Sequence, residues 1–428
     1  MSIRELYDRS YEFGRIVGAR GGAAIRIAVY IDPRLAAEPT AQLIAMAICN
    51  LLPRISERYT NVDLRVPASQ EITVPRLRPD ILLPHLMKTL TTACLAGSFQ
   101  EVDGPEVEYD YCIVIGEECG VLARCAIYAW ASGWRCFASK VRPVTHGHAG
   151  QSLNPFAALA VASLAVMMLY HDAEGLRELF HSEEIRGWSL LDYCLTSEDG
   201  PALPESIEVG RIVQAGLGGT ANALLWALRH GPELSGEWCG FEHEMLEISN
   251  ANRYLLMRAT DVGSKAALVR ERFGSVHPRL NFQAKNGRVE EECAGLLDST
   301  LVLATVDDPQ IRVTLQRRGA GIILNVGTNT QWLSVSRHEV ALIREGGPCV
   351  GCFYLSNEQA PRRARESTVS FVVALVGAML GGELMKSYCF PQHALANSWL
   401  GNVFAPAGGR SLLRPATPNC ETCSVIRN

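Results

Sequence analysis

Four cysteines stand in two Cys-x-x-Cys pairs, Cys349 and Cys352 in GGPCVGCFY, Cys420 and Cys423 in PNCETCSVIRN. This is the local spacing that thiolates need to close on one tetrahedral zinc ion. Four thiolates leave no open coordination position, so such a zinc would be structural and would pin the last residues back onto the domain. A second set of residues suits phosphate. In QAGLGGTANALLWAL, Gly216, Gly218 and Gly219 follow a strand-like run, Ile207–Val213, and precede an apolar helical pattern. Glycines there let backbone approach a phosphate, and the helix N-terminus complements its charge. Taken alone, the loop fits a dinucleotide, another nucleotide or a bare tight turn. Glu242 and Glu244 could supply the acid that a dinucleotide ribose needs.

The residues downstream favour a triphosphate. Asn250 and Arg253 are one helical turn apart, and Lys265 follows a DVG break that predicts a new helix. An amide and a guanidinium orient phosphates, and an ammonium offsets their charge. Hydride transfer has no use for two cations beside the phosphates. Asp307 and Asp308 follow the apolar run Ser299–Val306. Carboxylates at the carboxyl end of a parallel strand face the ligand crevice, where one could hold Mg²⁺. The same Asp-Asp-Pro also reads as a helix start with capping aspartates.

The elements that must position these groups alternate along the chain. Ala24–Asp32, Asn61–Pro67, Tyr109–Glu118 and Trp134–Ser139 read as strands, the last two flanking an Ala-rich helix, and Thr40–Leu52 as an amphipathic helix. Such alternation predicts an α/β fold with mostly parallel sheets. In the first half no phosphate-type glycine loop follows the first strand, because Gly18, Gly21 and Gly22 precede it. A polar stretch, His181–Ser206, separates a unit over 1–185 from one over 207–428, with 186–206 as linker. The two units could be a diverged duplication. At 48% hydrophobic and 20% charged residues the 428-residue chain reads as globular. Its 40 basic and 45 acidic residues exclude a broad basic surface, so nucleic acid is not an expected partner. The apolar run Pro155–Tyr170 predicts a buried helix rather than a membrane span. Fourteen cysteines with no apolar signal core predict a reducing, cytoplasmic setting.

In order, these pieces resemble the ThiF/MoeB/ubiquitin-activating superfamily of adenylating enzymes. The resemblance rests on the glycine loop, Glu242 and Glu244, Asn250-x-x-Arg253, Asp261-Val-Gly-x-Lys265, Asp307 with Arg312, both cysteine pairs, and a late helix ending in Glu383 and Lys386. It implies a Rossmann-like adenylation domain in which Gly216, Gly218 and Gly219 cradle ATP phosphates. Glu242, where the family usually has Asp, would hold the ribose. Asn250, Arg253 and Lys265 would contact phosphates, and Asp307 would bind Mg²⁺. The substrate implied is the C-terminal glycine carboxylate of a ubiquitin-like or sulfur-carrier protein, attacking the α-phosphate. The family also uses an arginine from a partner lobe. LYDRSYEFG resembles the helix that supplies it and makes Arg9 the candidate, so the first unit would be a degenerate, inactive adenylation lobe of a pseudodimer. Higher oligomers stay open. Family members that form thioesters carry a cysteine in or near the segment after the first zinc pair. Phe353–Ser367 has none, and Cys239, Cys293 and Cys389 occupy no matching position. Transfer to a cysteine, of this chain or of a conjugating enzyme, is therefore a separate step from adenylation. The rival readings are a thiamine- or molybdopterin-type sulfur-carrier activator, an NAD-dependent oxidoreductase, and an inactive scaffold that binds a ubiquitin-like protein.

Overall fold

The computed structural model describes residues 3–67, 69–77, 108–143, 153–176, 184–196, 198–292, 300–329, 332–354, 368–403 and 405–427. Cys293 and residues 355–367 lie outside them. Six strands form the first sheet: β1 (Arg26–Ile31), β2 (Asn61–Arg65), β3 (Tyr109–Ile115), β4 (Ala123–Ser132), β5 (Arg135–Ser139) and β6 (Glu184–Ser189), in the order β2-β1-β3-β4-β5-β6. Its first four neighbours are parallel, and β5 and β6 add antiparallel to one edge. The second sheet contains β7 (Ser206–Ala215), β8 (Glu233–Phe241), β9 (Leu280–Lys285), β10 (Leu301–Ala304), β11 (Ile322–Thr328), β12 (Trp332–Glu339), β13 (Ser398–Asn402) and β14 (Ala405–Leu412). Its order is β14-β13-β12-β11-β10-β7-β8-β9, again parallel at first and antiparallel from β12 on. Both sheets therefore follow one plan. In each, the first strand lies inside the parallel part, with its successor on one side and a later strand on the other.

Two sequence expectations need correction. The Ala-rich stretch before Trp134 is β4, not a helix. It pairs with β3 and β5 and alternates, with Ile127, Ala129 and Ala131 buried between less buried Tyr128 and Trp130. Period two on a sheet outweighs the helix propensity of alanine. The expected linker is also partly structured, because β6 carries the first sheet past residue 185.

Helices Pro155–Ala173 and Ser370–Cys389 are long and apolar enough to cross a membrane, yet 89% and 94% of their apolar windows are buried in the fold. They pack on each other. A side chain at Gly381 would come within 2.2 Å of the Phe156 ring, so only glycine permits that approach. The resemblance-derived pair Glu383 and Lys386 is fully buried and acts as a fastener. Glu383 accepts from Tyr193 Oη (2.8 Å) and Leu395 N (3.1 Å), and Lys386 Nζ donates to the carbonyls of Leu190 (3.2 Å) and Leu191 (2.9 Å). A buried ion pair persists only when its remaining donors and acceptors are satisfied in this way.

Arg54, which is 1% exposed, helps to join the lobes. Its guanidinium donates to the carbonyls of Ala251 and Met257 (2.8 Å to the latter) and to Asn50 Oδ1. Asn50 Nδ2 donates in turn to Leu255 O at 3.1 Å. Replacing Arg54 with methionine strands several buried acceptors, each costing about 1–3 kcal/mol. We expect Arg54→Met to lower unfolding free energy by about 3 kcal/mol in urea titration, with a smaller loss for Arg54→Lys. A loss below about 1 kcal/mol would show that the lobes are held elsewhere.

Candidate active site

The site begins where β7 ends. Gly216 adopts a φ of 85°, its N–H donates to Phe241 O at 3.0 Å, and a Cβ there would lie 3.0 Å from Thr305 O. Thr305 Oγ1 donates to Ala215 O (2.9 Å) and Gly216 O (2.6 Å). The loop is thus wedged between the ends of β8 and β10, where strand order reverses and open parallel sheets bind ligands. Helix Gly219–Leu228 follows with Gly218 as N-cap and no side-chain cap, which leaves its first N–H groups turned to an incoming anion. Asn222 Nδ2 holds the loop from behind through Leu217 O (2.9 Å) and Gly218 O (3.0 Å).

Glu242, just past β8, does something the sequence did not suggest. Its Oε2 accepts from Leu217 N at 3.2 Å, and Oε1 accepts from His243 N (2.9 Å) and Glu244 N (3.0 Å). A carboxylate has about four acceptor positions. Three are taken by backbone, so Glu242 first fixes the glycine loop and keeps one Oε2 lone pair for a further donor. Glu244 is an ion-pair partner of Lys265. Burial alone would push the Lys265 ammonium pKa down. Tyr254 and Glu244 outweigh it and raise it, so the lysine stays charged.

Asn250 and Arg253 share a turn, as expected, but with different tasks. Asn250 Oδ1 accepts from Glu247 N at 2.9 Å in a capping box, and its carbonyl accepts from the N–H groups of Arg253 and Tyr254. Its Nδ2 is the group left to meet a ligand. The Arg253 side chain lies 3.5 Å from where a Gly219 Cβ would be, and its Nη1 donates to Ser249 O (2.7 Å) and Asn252 Oδ1 (2.9 Å). Burial chiefly depresses the Arg253 pKa, nearby Arg9 adds to this, and Asp307 opposes it. That coupling places Arg9, Arg253 and Asp307 together. Arg9 belongs to helix Asp8–Val17, whose preceding Tyr7 packs in one buried cluster with Ala251, Tyr254, Met257 and Leu268. The first lobe thereby reaches the loop of the second.

Asp307 is exposed, and no hydrogen bond or ion pair holds it among the described residues, whereas Asp308 caps helix Pro309–Arg317 through Gln310 N at 2.8 Å. The adjacent aspartates divide the two roles open to them. Asp261 and Arg312 are fasteners instead. Asp261 pairs with Arg272 (3.0 Å), and buried Arg312 donates to the carbonyls of Val306 (2.9 Å) and Val326 (2.7 Å) and to Tyr354 Oη (2.7 Å). Thr305 and Tyr254 escaped the sequence reading. A threonine at a strand end and an aromatic beside Arg253 were the only signals.

The four cysteines converge in a separate buried cluster. Sγ separations are 3.7 Å for Cys349–Cys352, 3.5 Å for Cys349–Cys420 and 3.4 Å for Cys352–Cys423, and all four lie within 4.8 Å of one another. Sulfurs about 2.3 Å from a tetrahedral zinc stand a little under 4 Å apart, so the donor set fits a metal ion. The cluster ties helix Glu421–Arg427 to helix Val350–Tyr354, and both touch the end of helix Pro309–Arg317: Val350 N donates to Gln316 Oε1 at 2.6 Å, and Arg317 Nε to Thr422 Oγ1 at 2.8 Å. It backs the helix that displays Asp307.

Residues 242–422 match the model of the ThiF family. This part of the chain is a ThiF family domain. The match takes in Glu242, Asn250, Arg253, Lys265, Asp307 and three of the four cysteines, while the glycine loop precedes it and is placed beside them by the sheet. Residues 26–180 match the model named BilD N-terminal domain. The chain is 27% identical over 256 residues to the uncharacterized protein y4jF of Sinorhizobium fredii (strain NBRC 101917 / NGR234), covering 57% of this chain and 46% of that one. It thus spans about half the length of the curated relative it matches. Among solved structures, E. coli MccB is similar at 12% identity and a TM-score of 0.41, covering 69% of this chain and 94% of its own. E. coli MccB with MccA-N7isoASN is similar at 14% identity and 0.40, covering 50% and 67%.

Gly216 offers a direct test of the loop. Alanine there meets both a left-handed backbone and a carbonyl at contact distance, and should cost about 2 kcal/mol in unfolding free energy. Gly210, at a φ of 55° with open space around it, is the control. Gly210→Ala should cost only about 1 kcal/mol, and equal losses would show that Thr305 does not crowd the loop.

Proposed function

We propose that this protein uses ATP to adenylate the C-terminal glycine of a ubiquitin-like protein. The observation that carries the reading is the convergence of an uncapped helix N-terminus and glycine loop with Arg253, Lys265 and exposed Asp307 at the switch point of a ThiF family sheet. Gly216, Gly218 and Gly219 would receive the phosphates. Asn250 Nδ2, Arg253 and Lys265 would bind and orient them, and Glu242 would meet the ribose with its remaining lone pair. Asp307 fits a magnesium ligand, being an unengaged carboxylate beside the cations; Mg²⁺ would offset phosphate charge. The carboxylate of the carrier attacks the α-phosphorus, the bond to the bridging oxygen breaks, and pyrophosphate leaves with the electron pair. Positioning and charge neutralisation supply the catalysis. Arg9, brought from the first lobe, would stabilise the charge that develops on the phosphates. That lobe would hold no nucleotide of its own. Where β1 ends, Asp32 accepts from Arg34 and caps the turn Pro33–Leu35, with Glu117 and Glu118 beside it, so acid fills the place of a phosphate loop.

We assign the four-cysteine cluster to structural zinc. Metal analysis should return one zinc per chain, and Cys423→Ser should lower both metal content and melting temperature. Well under one equivalent in the purified protein would reject the assignment. The adenylation reading is tested by ATP–pyrophosphate exchange with carrier proteins ending in glycine. Asp307→Ala should slow exchange at least about a hundredfold and Arg9→Ala about tenfold or more. A wild-type protein that binds ATP but exchanges no label with any carrier would be a binding scaffold. Exchange that survives Arg9→Ala would remove only the arginine's role.

A further inference from the structure

Tyr254 sits at the centre of the site and is assigned no part in it above. It is 3% exposed and belongs to an apolar cluster with Tyr7, Ala251, Met257 and Leu268, yet two cations lie against its ring. The Arg253 guanidinium carbon lies 5.6 Å from its ring centroid, and so does Lys265 Nζ. The Lys265 ammonium also acts electrostatically on its hydroxyl. On the other side, Tyr254 Oη is the nearest atom to where a Gly218 Cβ would stand, at 3.5 Å. The phenol thus spans the gap between the two cations and the glycine loop.

The orientation of its hydroxyl follows from chemistry. An ammonium has three donors and no acceptor, so toward Lys265 the tyrosine oxygen must accept. Its own hydrogen is then turned away from the lysine, and Gly218 lines the space it can reach. Burial raises the phenol pKa, although both cations oppose this, so the proton is retained at neutral pH. A buried hydroxyl with an available hydrogen aimed at an uncapped helix N-terminus is a donor awaiting an acceptor. Resting on the ATP reading, we infer that the Tyr254 hydroxyl donates a hydrogen bond to a phosphate oxygen of the bound nucleotide while holding the Lys265 ammonium in place. Tyr254 is then a phosphate-binding residue and the link that makes Lys265, Arg253 and the glycine loop one rigid cradle. The Tyr7–Tyr254 packing makes the first lobe the support of that link.

The experiment compares wild type and Tyr254→Phe, full-length, by isothermal titration with Mg·ATP, with AMP and with adenosine. Phenylalanine keeps the ring, its packing and both cation contacts, and removes only the oxygen. A hydrogen bond to a charged acceptor corresponds to about a ten- to hundredfold loss of affinity. We expect that loss for Mg·ATP and no more than about twofold for adenosine, with AMP locating the phosphate concerned. Tyr254→Gln, which can accept and donate, should recover part of the ATP affinity that Tyr254→Phe loses. Equal losses for adenosine and ATP would mean that the residue merely shapes the pocket, and unchanged ATP affinity would mean that its hydroxyl meets no phosphate. Either result overturns the inference and leaves the ATP reading standing. A wild type that binds no ATP would overturn both.

Discussion

The guanidinium of Arg54 is the contact on which the architecture of the site depends. It is buried, and its donors meet the carbonyls of Ala251 and Met257 and the side chain of Asn50. The stretch it grips, between Asn250 and Met257, is a succession of tight turns rather than a regular element, so its carbonyls lack ladder partners of their own. Buried carbonyls of that kind must be satisfied by something. Here the donor comes from the other lobe. Asn250, Arg253 and Tyr254 are consequently set in place by the first lobe as much as by the second. That gives a physical reason for keeping a lobe whose own switch point is filled by Asp32 and Arg34.

The shared plan of the two sheets makes this division of labour intelligible. Each has a first strand inside a parallel set and an antiparallel run at one edge, and the long apolar helices of the two lobes meet face to face. Only the second sheet ends its first strand in Gly216 rather than Asp32-Pro33-Arg34. The crevice of the second sheet has a charged residue of the first lobe close by, since Arg9 acts electrostatically on Arg253.

Much of this was legible in the sequence, for identifiable reasons. The parallel strands are apolar on both faces and announce themselves, as do the proline-started helix Pro155–Ala173 and the cysteine pairs, whose chemistry depends on local spacing. The Asp-Asp-Pro start was read with both its roles, and the structure gives capping to Asp308. What could not be read depends on partners far along the chain. β4 was hidden because alanine suits either period and its pairing with β3 and β5 decides the outcome. Arg54 looks like any arginine at a helix end until the other lobe supplies its acceptors. Nothing local to Glu242 shows the three backbone N–H groups that its carboxylate also holds.

Charge completes the account. Arg9 and Lys265 approach the site from its two lobes around Arg253, with Glu244 paired to Lys265 and Glu242 accepting from three backbone amides. Burial chiefly disfavours the Arg253 cation, and the nearby charge of Arg9 adds to that cost. Without a ligand, this repulsion acts across the junction between the lobes, against the packing of Tyr7 and the hydrogen bonds of Arg54. A polyanion in the crevice reverses its sign. Each cation then gains an opposite charge at short range, and closing the lobes lowers the energy of both. The same groups that would bind the phosphates thus couple phosphate binding to lobe docking, because one of them lies on each side of the seam. In an isolated second lobe Arg253 would face the glycine loop without Arg9 opposite and without Arg54 behind its turn. On the proposed ATP reading, the lobe that lacks a phosphate loop would therefore be part of the phosphate site.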